Sequence, residues 1–212
     1  RAALENLKSI PLLPTVVKTF MKVWSEQQIY GLNMAKKIRL GPSQLPEIYN
    51  YLPPLCAKLG IDVPEFYLEM NPVPNAYTMG DTRIFITVTS SLLEYLDEEE
   101  VKTVIAHECG HIACHHTLYH TIGQILAQYG LGILGPLGVP AKPVIWALFY
   151  WSRRSEYSAD RAAAYAMGGE KEVIETMIRL AGGPKRITGN VNIDAYMEQA
   201  AAYDELKGAG WD

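Results

Sequence analysis

The sequence has few cysteines and no run of basic residues. Its three cysteines, Cys56, Cys109 and Cys114, are odd in number and form no CxxC pair. This pattern argues against a disulfide scaffold and favours a reducing compartment, so we expect a cytoplasmic location. The formal net charge is only −4, and without a Lys/Arg cluster we expect no nucleic-acid partner.

The sequence also lacks a secretory signal and an uninterrupted membrane-spanning stretch. It begins with Arg1 rather than Met, so we expect an excised or processed piece, with any anchor elsewhere in the full-length protein. The most apolar zone, residues 122–151, is broken by polar residues and by "GPLGVP", and neither half reaches the roughly 20 apolar residues of a spanning helix. We expect a buried or lid-forming helical hairpin there; the alternative is peripheral contact with a membrane or a partner.

What is present is the composition of one globular domain. The chain has 212 residues, of which 49% are hydrophobic and 20% charged, enough for a single core. We predict one domain over 1–212. It would comprise N-terminal helices (1–60), a core (61–169) and C-terminal helices (170–212).

The periodicity of apolar residues predicts the elements within that domain. A long amphipathic helix is expected over 15–40, and a second from Ser43 as N-cap to Gly60 as C-cap. Short β-branched and aromatic segments over 63–89 predict a small antiparallel sheet, and nearly everything beyond Ser90 reads as helix. The predicted fold class is α+β, mainly α, with the sheet beside the helix that carries "HECGH".

The segment "HECGH" places three chemically useful side chains on that helix. His107 and His111 lie about 40° apart and one turn along the axis, so their imidazoles converge on one point where zinc would bind. Glu108 is displaced from that point but could reach an attacking water as general base. The helix start is predicted by Asp97 as N-cap with Glu100 three residues later.

The neighbouring histidines and cysteines fit a shared site less well. A metzincin would have Gly at position 114 and His at position 117, where this chain has Cys114 and Thr117, so that class is excluded. His115 lies about 12 Å along the helix axis from His107, too far to share one ion, which leaves substrate contact as its alternative to a surface position. His116 and His120 point away from the metal face and are expected to be satisfied or solvated helix residues. Cys109 is expected as a packed thiol and Cys114 as a small helix residue.

The segment "EYSAD" offers a third metal ligand. Glu156 and Asp160 are spaced i, i+4 on one helix face, so Glu156 could ligate the metal while Asp160 accepts a hydrogen bond from a ligand imidazole. The alternative is a solvated Glu with an Asp near an Arg, but the presence of HExxH favours the ligand interpretation. Small residues at 162–164 would allow close helix packing.

Together these motifs resemble a known family. "HECGH" followed by "EYSAD", with "PNAYTMG" and "SSLLEYLDEEEVKTVIAHE" upstream, is similar to the zinc metallopeptidases that include HtpX and the CAAX prenyl endopeptidases (metallopeptidase family 48), over roughly residues 63–169.

The resemblance implies a gluzincin with a zincin-like domain and one Zn²⁺ per chain. It implies His107, His111 and Glu156 as zinc ligands, Glu108 as catalytic base and acid, and Asp160 as hydrogen-bond partner of a ligand. It also implies that "NAYTM" is an edge strand along which a peptide pairs, which makes Asn75, Ala76 and Tyr77 candidate substrate-binding residues. The alternative for Asn75 is a turn residue after Pro74.

The chain departs from that family at the residue that stabilises the oxyanion. Relatives commonly carry a later His-Pro segment followed by Arg, whereas no histidine here lies beyond His120. Either the natural chain continues past Asp212 into such a segment, or Arg153, Tyr157 or Arg186 takes that role. HtpX-like relatives also insert membrane helices where this chain has only the short zone 122–151, so a soluble or peripherally attached version is expected.

The expected function is therefore zinc-dependent endopeptidase activity on protein or peptide substrates, with protein quality control as one role. The rival hypothesis is a chaperone-like or scaffold protein that retains a vestigial or latent zinc site. Latency would follow if the C-terminal helix expected over 190–206 covered the cleft.

Overall fold

Helices make up most of the chain, and one small sheet accompanies them. The computed structural model describes residue 5 and residues 7–137 and 140–207. The helices are α1 (Leu13–Val23), α2 (Glu26–Lys36), α3 (Pro46–Tyr49), α4 (Leu52–Leu59), α5 (Ser90–Tyr95), α6 (Glu98–Ala113), α7 (Thr117–Tyr129), α8 (Lys142–Met167), α9 (Lys171–Gly182), α10 (Lys185–Thr188) and α11 (Ile193–Lys207). The strands are β1 (Ile38–Leu40), β2 (Glu65–Glu69), β3 (Ala76–Met79) and β4 (Phe85–Thr89). The α+β, mainly α fold class is confirmed.

The sheet has the order β1-β2-β4-β3 and is mixed rather than antiparallel as predicted. β3 and β4 form an antiparallel hairpin, but β4 rather than β3 lies beside β2. β3 runs opposite to both β2 and β4, so β2 and β4 run in the same direction and pair in parallel. β3 is consequently the last strand of the sheet, next to α6 and α7.

The long helix predicted over 15–40 is wrong in two places. Ser25 starts a new helix, because its hydroxyl accepts from the Gln28 backbone N–H while the Gln28 side chain accepts from the Ser25 backbone N–H. This capping box interrupts an otherwise continuous apolar period. The last three residues of the range form β1, which pairs antiparallel with β2.

The second predicted helix is also divided. Pro53 and Pro54 lack the backbone N–H that a helix interior needs, so they are tolerated only in a first turn, and α4 accordingly starts at Leu52. Ser43 caps neither piece. Gly60 ends α4 as predicted, in the left-handed region with φ of 67°.

The sheet separates two hydrophobic cores. Phe66 faces the core built with α4, α6 and α9, while its neighbour Tyr67 faces the core built with α1, α7 and α8, as the alternation of a strand requires. The predicted apolar hairpin is the pair α7–α8, whose Ile122, Ile145 and Trp151 are buried in the second core. None of the helices in the described part of the chain is both long and apolar enough to cross a membrane.

Helices α6 and α8 pack unusually closely, and Gly110 is the reason. A Cβ at Gly110 would lie 2.9 Å from the backbone of Ala159 and 3.0 Å from the Cβ of Ala162. Ala159 and Ala163 are fully buried along the same contact. Small residues therefore let the helix carrying "HECGH" approach the helix carrying "EYSAD".

Candidate metal centre

Helix α6 is held firmly at its start. The Asp97 carboxylate accepts from the Glu100 backbone N–H (3.1 Å), and Glu100 accepts in return from the Asp97 N–H (2.9 Å), so the predicted capping box is present. Glu100 also pairs with the buried Arg179 of α9 (2.9 Å). Arg179 donates further to the carbonyls of Tyr95 and Gly183, so this buried pair is satisfied within the chain.

Ten residues into α6, three donor atoms from two helices converge. His107 Nε2 lies 3.1 Å from His111 Nε2 and 3.1 Å from Glu156 Oε2, and the third distance, His111 Nε2 to Glu156 Oε2, is 3.6 Å. Both imidazoles are buried. The three predicted ligands are thus brought together by the Gly110 contact.

The donor set fits zinc. Tetrahedral coordination with bonds of about 2.0–2.1 Å places ligand atoms about 3.3 Å apart, and two imidazoles with one carboxylate are a common zinc ligand set. The observed separations of 3.1, 3.1 and 3.6 Å bracket that value. The assignment of these three residues as ligands stays a prediction that their geometry supports.

The electrostatics of the cluster also favour a cation. Asp160 accepts from His107 Nδ1 at 2.8 Å, as expected for a residue that orients a ligand. Burial opposes protonation of His107, but its hydrogen bonds to Asp160 and Glu156 outweigh that effect and raise its pKa to about 10. Burial likewise opposes ionisation of Glu156, yet hydrogen bonds to His107 and His111 hold the pKa of its carboxyl well below the usual range. The cluster therefore stabilises positive charge at the point where the donors meet.

Glu108 lies beside the three donors, and its carboxylate is held by a residue that sequence reasoning missed. The buried Thr78 hydroxyl of β3 donates to Glu108 Oε2 at 2.7 Å. The signal was available, because alternation along a strand puts Thr78 on the same face as Ala76.

The cleft in front of the cluster has a volume of about 480 Å³. Its described lining includes Asn75 and Ala76 as well as His107, Glu108 and Glu156. Tyr77 faces the other side of the sheet, where its hydroxyl contacts Glu69 and Lys37 (2.5 and 2.7 Å), so the structure does not bring it to the cleft. No residue of α11 is among the described residues that line the cleft.

The three candidates for stabilising the oxyanion are not gathered at the cleft. Arg153, Tyr157 and Arg186 are exposed, and none of them lines the cleft. The described lining contains no arginine, lysine or tyrosine. That role therefore stays without a residue in the described part of the chain.

His116 and His120 lie next to the cluster, contrary to the prediction that they point away. The prediction assumed one helix through position 120, whereas α6 ends at Ala113 and α7 starts at Thr117. His111 and His116 approach at 3.2 Å between their Nδ1 atoms, and His120 Nε2 lies 3.7 Å from Glu156 Oε1. Burial and the neighbouring His111 lower the pKa of His116 to about 4 and that of His120 to about 3, so both imidazoles are neutral at physiological pH.

The remaining cysteines and histidine near the metal centre differ in burial. Cys109 is fully buried with its sulfur 3.9 Å from that of Cys56, so it is the packed thiol expected, and both cysteines are free. Cys114 is half-buried but is not the helix residue expected, because α6 ends at Ala113 and Cys114 is its C-cap. His115 is exposed.

Comparison with known proteins agrees with this geometry. The sequence model of peptidase family M48 matches residues 43–204. The chain is also 34% identical, over 97% of its length, to the plastoglobule-localized metallopeptidase 48, chloroplastic, of Arabidopsis thaliana, and it spans 61% of that relative's length. From the family match over most of its length, together with the convergent HExxH and ExxxD residues, we conclude that the chain belongs to peptidase family M48, a family of metallopeptidases.

Proposed function

We propose that the chain is a zinc-dependent endopeptidase that hydrolyses peptide bonds in protein or peptide substrates. The observation that carries this proposal is the convergence of His107 Nε2, His111 Nε2 and Glu156 Oε2 within 3.1–3.6 Å of one another. These residues would hold one Zn²⁺. When bound, zinc would polarise the scissile carbonyl and lower the pKa of the attacking water.

Glu108 would move the protons. Thr78 holds Oε2 of its carboxylate at 2.7 Å, which leaves Oε1 for the attacking water. Glu108 takes a proton from that water as the new C–O bond forms at the scissile carbon. It then gives the proton to the amine nitrogen as the C–N bond breaks.

β3 would bind the substrate main chain. It is the last strand of the sheet, and its first residue, Ala76, lines the cleft together with the preceding Asn75. An extended peptide can add to such an edge through main-chain hydrogen bonds, which accept almost any sequence. Recognition of this kind suits unfolded proteins, and this supports a role in protein quality control.

Replacement of the base separates catalysis from metal binding. Glu108→Gln is expected to reduce kcat by about 10²–10⁴-fold, the usual contribution of a general base, while one zinc per chain is retained. Glu99→Gln is the matched control, because Glu99 is an exposed carboxylate on the same helix. Undiminished cleavage by the Glu108 variant would disprove the assignment.

Cleavage of unfolded casein distinguishes the peptidase from the rival chaperone or scaffold. A peptidase loses activity with a chelator and regains it with zinc, whereas a scaffold only binds casein.

Truncation near Gly189 tests latency as well. If α11 covered the cleft, removing it would raise activity, and an unchanged rate would exclude this role for the helix.

We also propose peripheral attachment to an anionic lipid surface. The outward side of α8, called here the α8 outer face, carries cationic and aromatic side chains over about 34 Å. Its defining residues are exposed: Lys142, Trp146, Tyr150, Arg154, Arg161 and Tyr165. Trp146 and Tyr165 are each 72% exposed, and the only carboxylates of α8, Glu156 and Asp160, lie on the side of the metal centre.

The chemistry of this face suits a lipid interface. Trp and Tyr are enriched where headgroups meet acyl chains, and Lys and Arg are attracted to anionic headgroups. The name of the Arabidopsis relative gives a plastoglobule location, which supports such a surface.

Vesicle sedimentation tests the attachment. We expect binding to vesicles rich in phosphatidylglycerol, weak binding to phosphatidylcholine alone, and loss with salt. The double variant Arg154→Glu/Arg161→Glu should bind more than tenfold more weakly, because each cation contributes about 1 kcal/mol near an anionic surface. Lys171→Glu, exposed on α9, is the control. Equal sedimentation of both variants, or none of the wild type, would refute the proposal.

A further inference from the structure

The contact between His111 and His116 is a hydrogen bond whose direction follows from the metal centre. Their Nδ1 atoms are 3.2 Å apart, and both side chains are buried. Two ring nitrogens at this distance must be one donor and one acceptor. Because His111 Nε2 is turned toward His107 and Glu156, a neutral His111 that ligates through it carries its proton on Nδ1. His111 therefore donates and His116 accepts.

The backbone at the end of α6 explains how His116 reaches this position. The His116 N–H donates to the His111 carbonyl (2.9 Å) and the His115 N–H to the Ile112 carbonyl (3.0 Å). His115 lies in the left-handed region with φ of 58°. These are the two bonds and the conformation of a Schellman motif, which brings the side chain after the left-handed residue onto the side chain five positions earlier. An apolar pair commonly fills this contact, but here it is His116 on His111.

The arrangement gives each ligand histidine its own acceptor. His107 donates from Nδ1 to a carboxylate, Asp160, at 2.8 Å, whereas His111 donates from Nδ1 to a ring nitrogen of His116. His116 packs in turn against Trp151 in a T-shaped arrangement, with ring centroids 5.3 Å apart. A rigid acceptor restricts the ligand to one tautomer and one ring orientation.

We propose that His116 is a positioning residue that orients His111 for metal binding by accepting the hydrogen bond from its Nδ1. The proposal rests on the proposed zinc site but not on the reaction catalysed there.

A pair of substitutions separates the hydrogen bond from packing. His116→Asn keeps an acceptor, because Asn Oδ1 occupies about the position of His Nδ1, whereas His116→Leu removes it. His115→Asn is the matched control, since it changes the adjacent exposed histidine and Asn tolerates the left-handed region. Zinc affinity would be measured by competition with a chromophoric chelator, and the Co²⁺-substituted protein would be compared by visible spectroscopy.

We expect His116→Leu to weaken zinc binding by about 10–100-fold, the usual effect of losing such a partner, and to change the Co²⁺ spectrum. His116→Asn should restore most of the affinity, and His115→Asn should match the wild type. Unchanged affinity in His116→Leu, or equal losses in the Leu and Asn variants, would overturn the proposal.

Metal stoichiometry supplies a second discriminator. His111, His116 and His120 are close enough to hold an ion themselves. If the wild type bound two zinc ions per chain and His116→Leu only one, the two Nδ1 atoms would face a metal and the hydrogen bond would be refuted. Failure of the proposed function is distinguishable, because a chain that binds zinc but cleaves nothing still reports on His116 through its affinity.

Discussion

The two ends of α6 treat buried charge differently. At its start, Glu100 is paired with Arg179, and the spare donors of that guanidinium reach two backbone carbonyls. Toward its end, Glu108, Glu156 and Asp160 surround two imidazoles, and the described lining of the cleft contains no lysine or arginine. The Glu100–Arg179 pair has all its partners within the chain and only holds the fold together, whereas two imidazoles and a carboxylate that converge on one point form a ligand set for a metal.

The largest expected effect on stability comes from breaking the Glu100–Arg179 pair at the start of α6. Arg179→Leu leaves the Glu100 carboxylate buried without its cation, so the free energy of unfolding should fall by about 3–5 kcal/mol. Urea unfolding measures this loss. Arg83→Leu is the control, because its ion pair with Glu65 is partly exposed and a much smaller change is expected. Equal effects would show that burial does not distinguish the pairs.

Zinc bound at the metal centre, near the end of α6, should stabilise the folded chain. A ligand that binds only the folded chain adds about 2.7 kcal/mol at a free concentration of 100 times its Kd. Thermal unfolding with zinc and with a chelator should differ accordingly for the wild type, and the difference should vanish in His107→Ala. A chelator effect that persisted in this variant would place the metal elsewhere.

A smaller effect is expected from the contact that joins the two halves of the metal centre. Gly110→Ala places a methyl group 2.9 Å from the backbone of Ala159 and should destabilise the fold by about 1–3 kcal/mol. Displacement of α8 would move Glu156 and weaken zinc binding as well. Gly132→Ala, where a Cβ meets nothing within 4 Å, is the control. Unchanged zinc affinity in Gly110→Ala would show that the added methyl group does not move Glu156 away from the metal centre.

The smallest predicted effect is a gain in stability. His115→Gly removes the cost of a left-handed non-glycine residue, so stability should rise by about 1 kcal/mol. Ala113→Gly, at the last residue of α6, should instead lower stability, by at most about 1 kcal/mol. Melting temperatures of the two variants should therefore move in opposite directions. A fall in both would show that His115 is not strained.

Part of the metal centre was predictable because it depends only on spacing along helices. Four residues make about one helical turn, so HExxH and ExxxD each align two side chains, and an N-cap with an acid three residues later marks a helix start. The structure brings His107 and His111 together as their spacing implied. Alternation along β3 would also have distinguished Thr78 from Tyr77.

Other features depend on contacts between distant segments. α6 ends without a glycine, since His115 takes the left-handed conformation, and nothing local marks His116 as returning to His111. The parallel pairing of β2 with β4 follows from which strand fills the position beside β2. Spacing within helices thus determined which side chains could act together, because a helix has one period. Packing around Gly110 and the sheet decided which helices meet, and so where Glu156, Thr78 and His116 lie. Such contacts are stabilised by burial between distant segments, and no local sequence pattern encodes them.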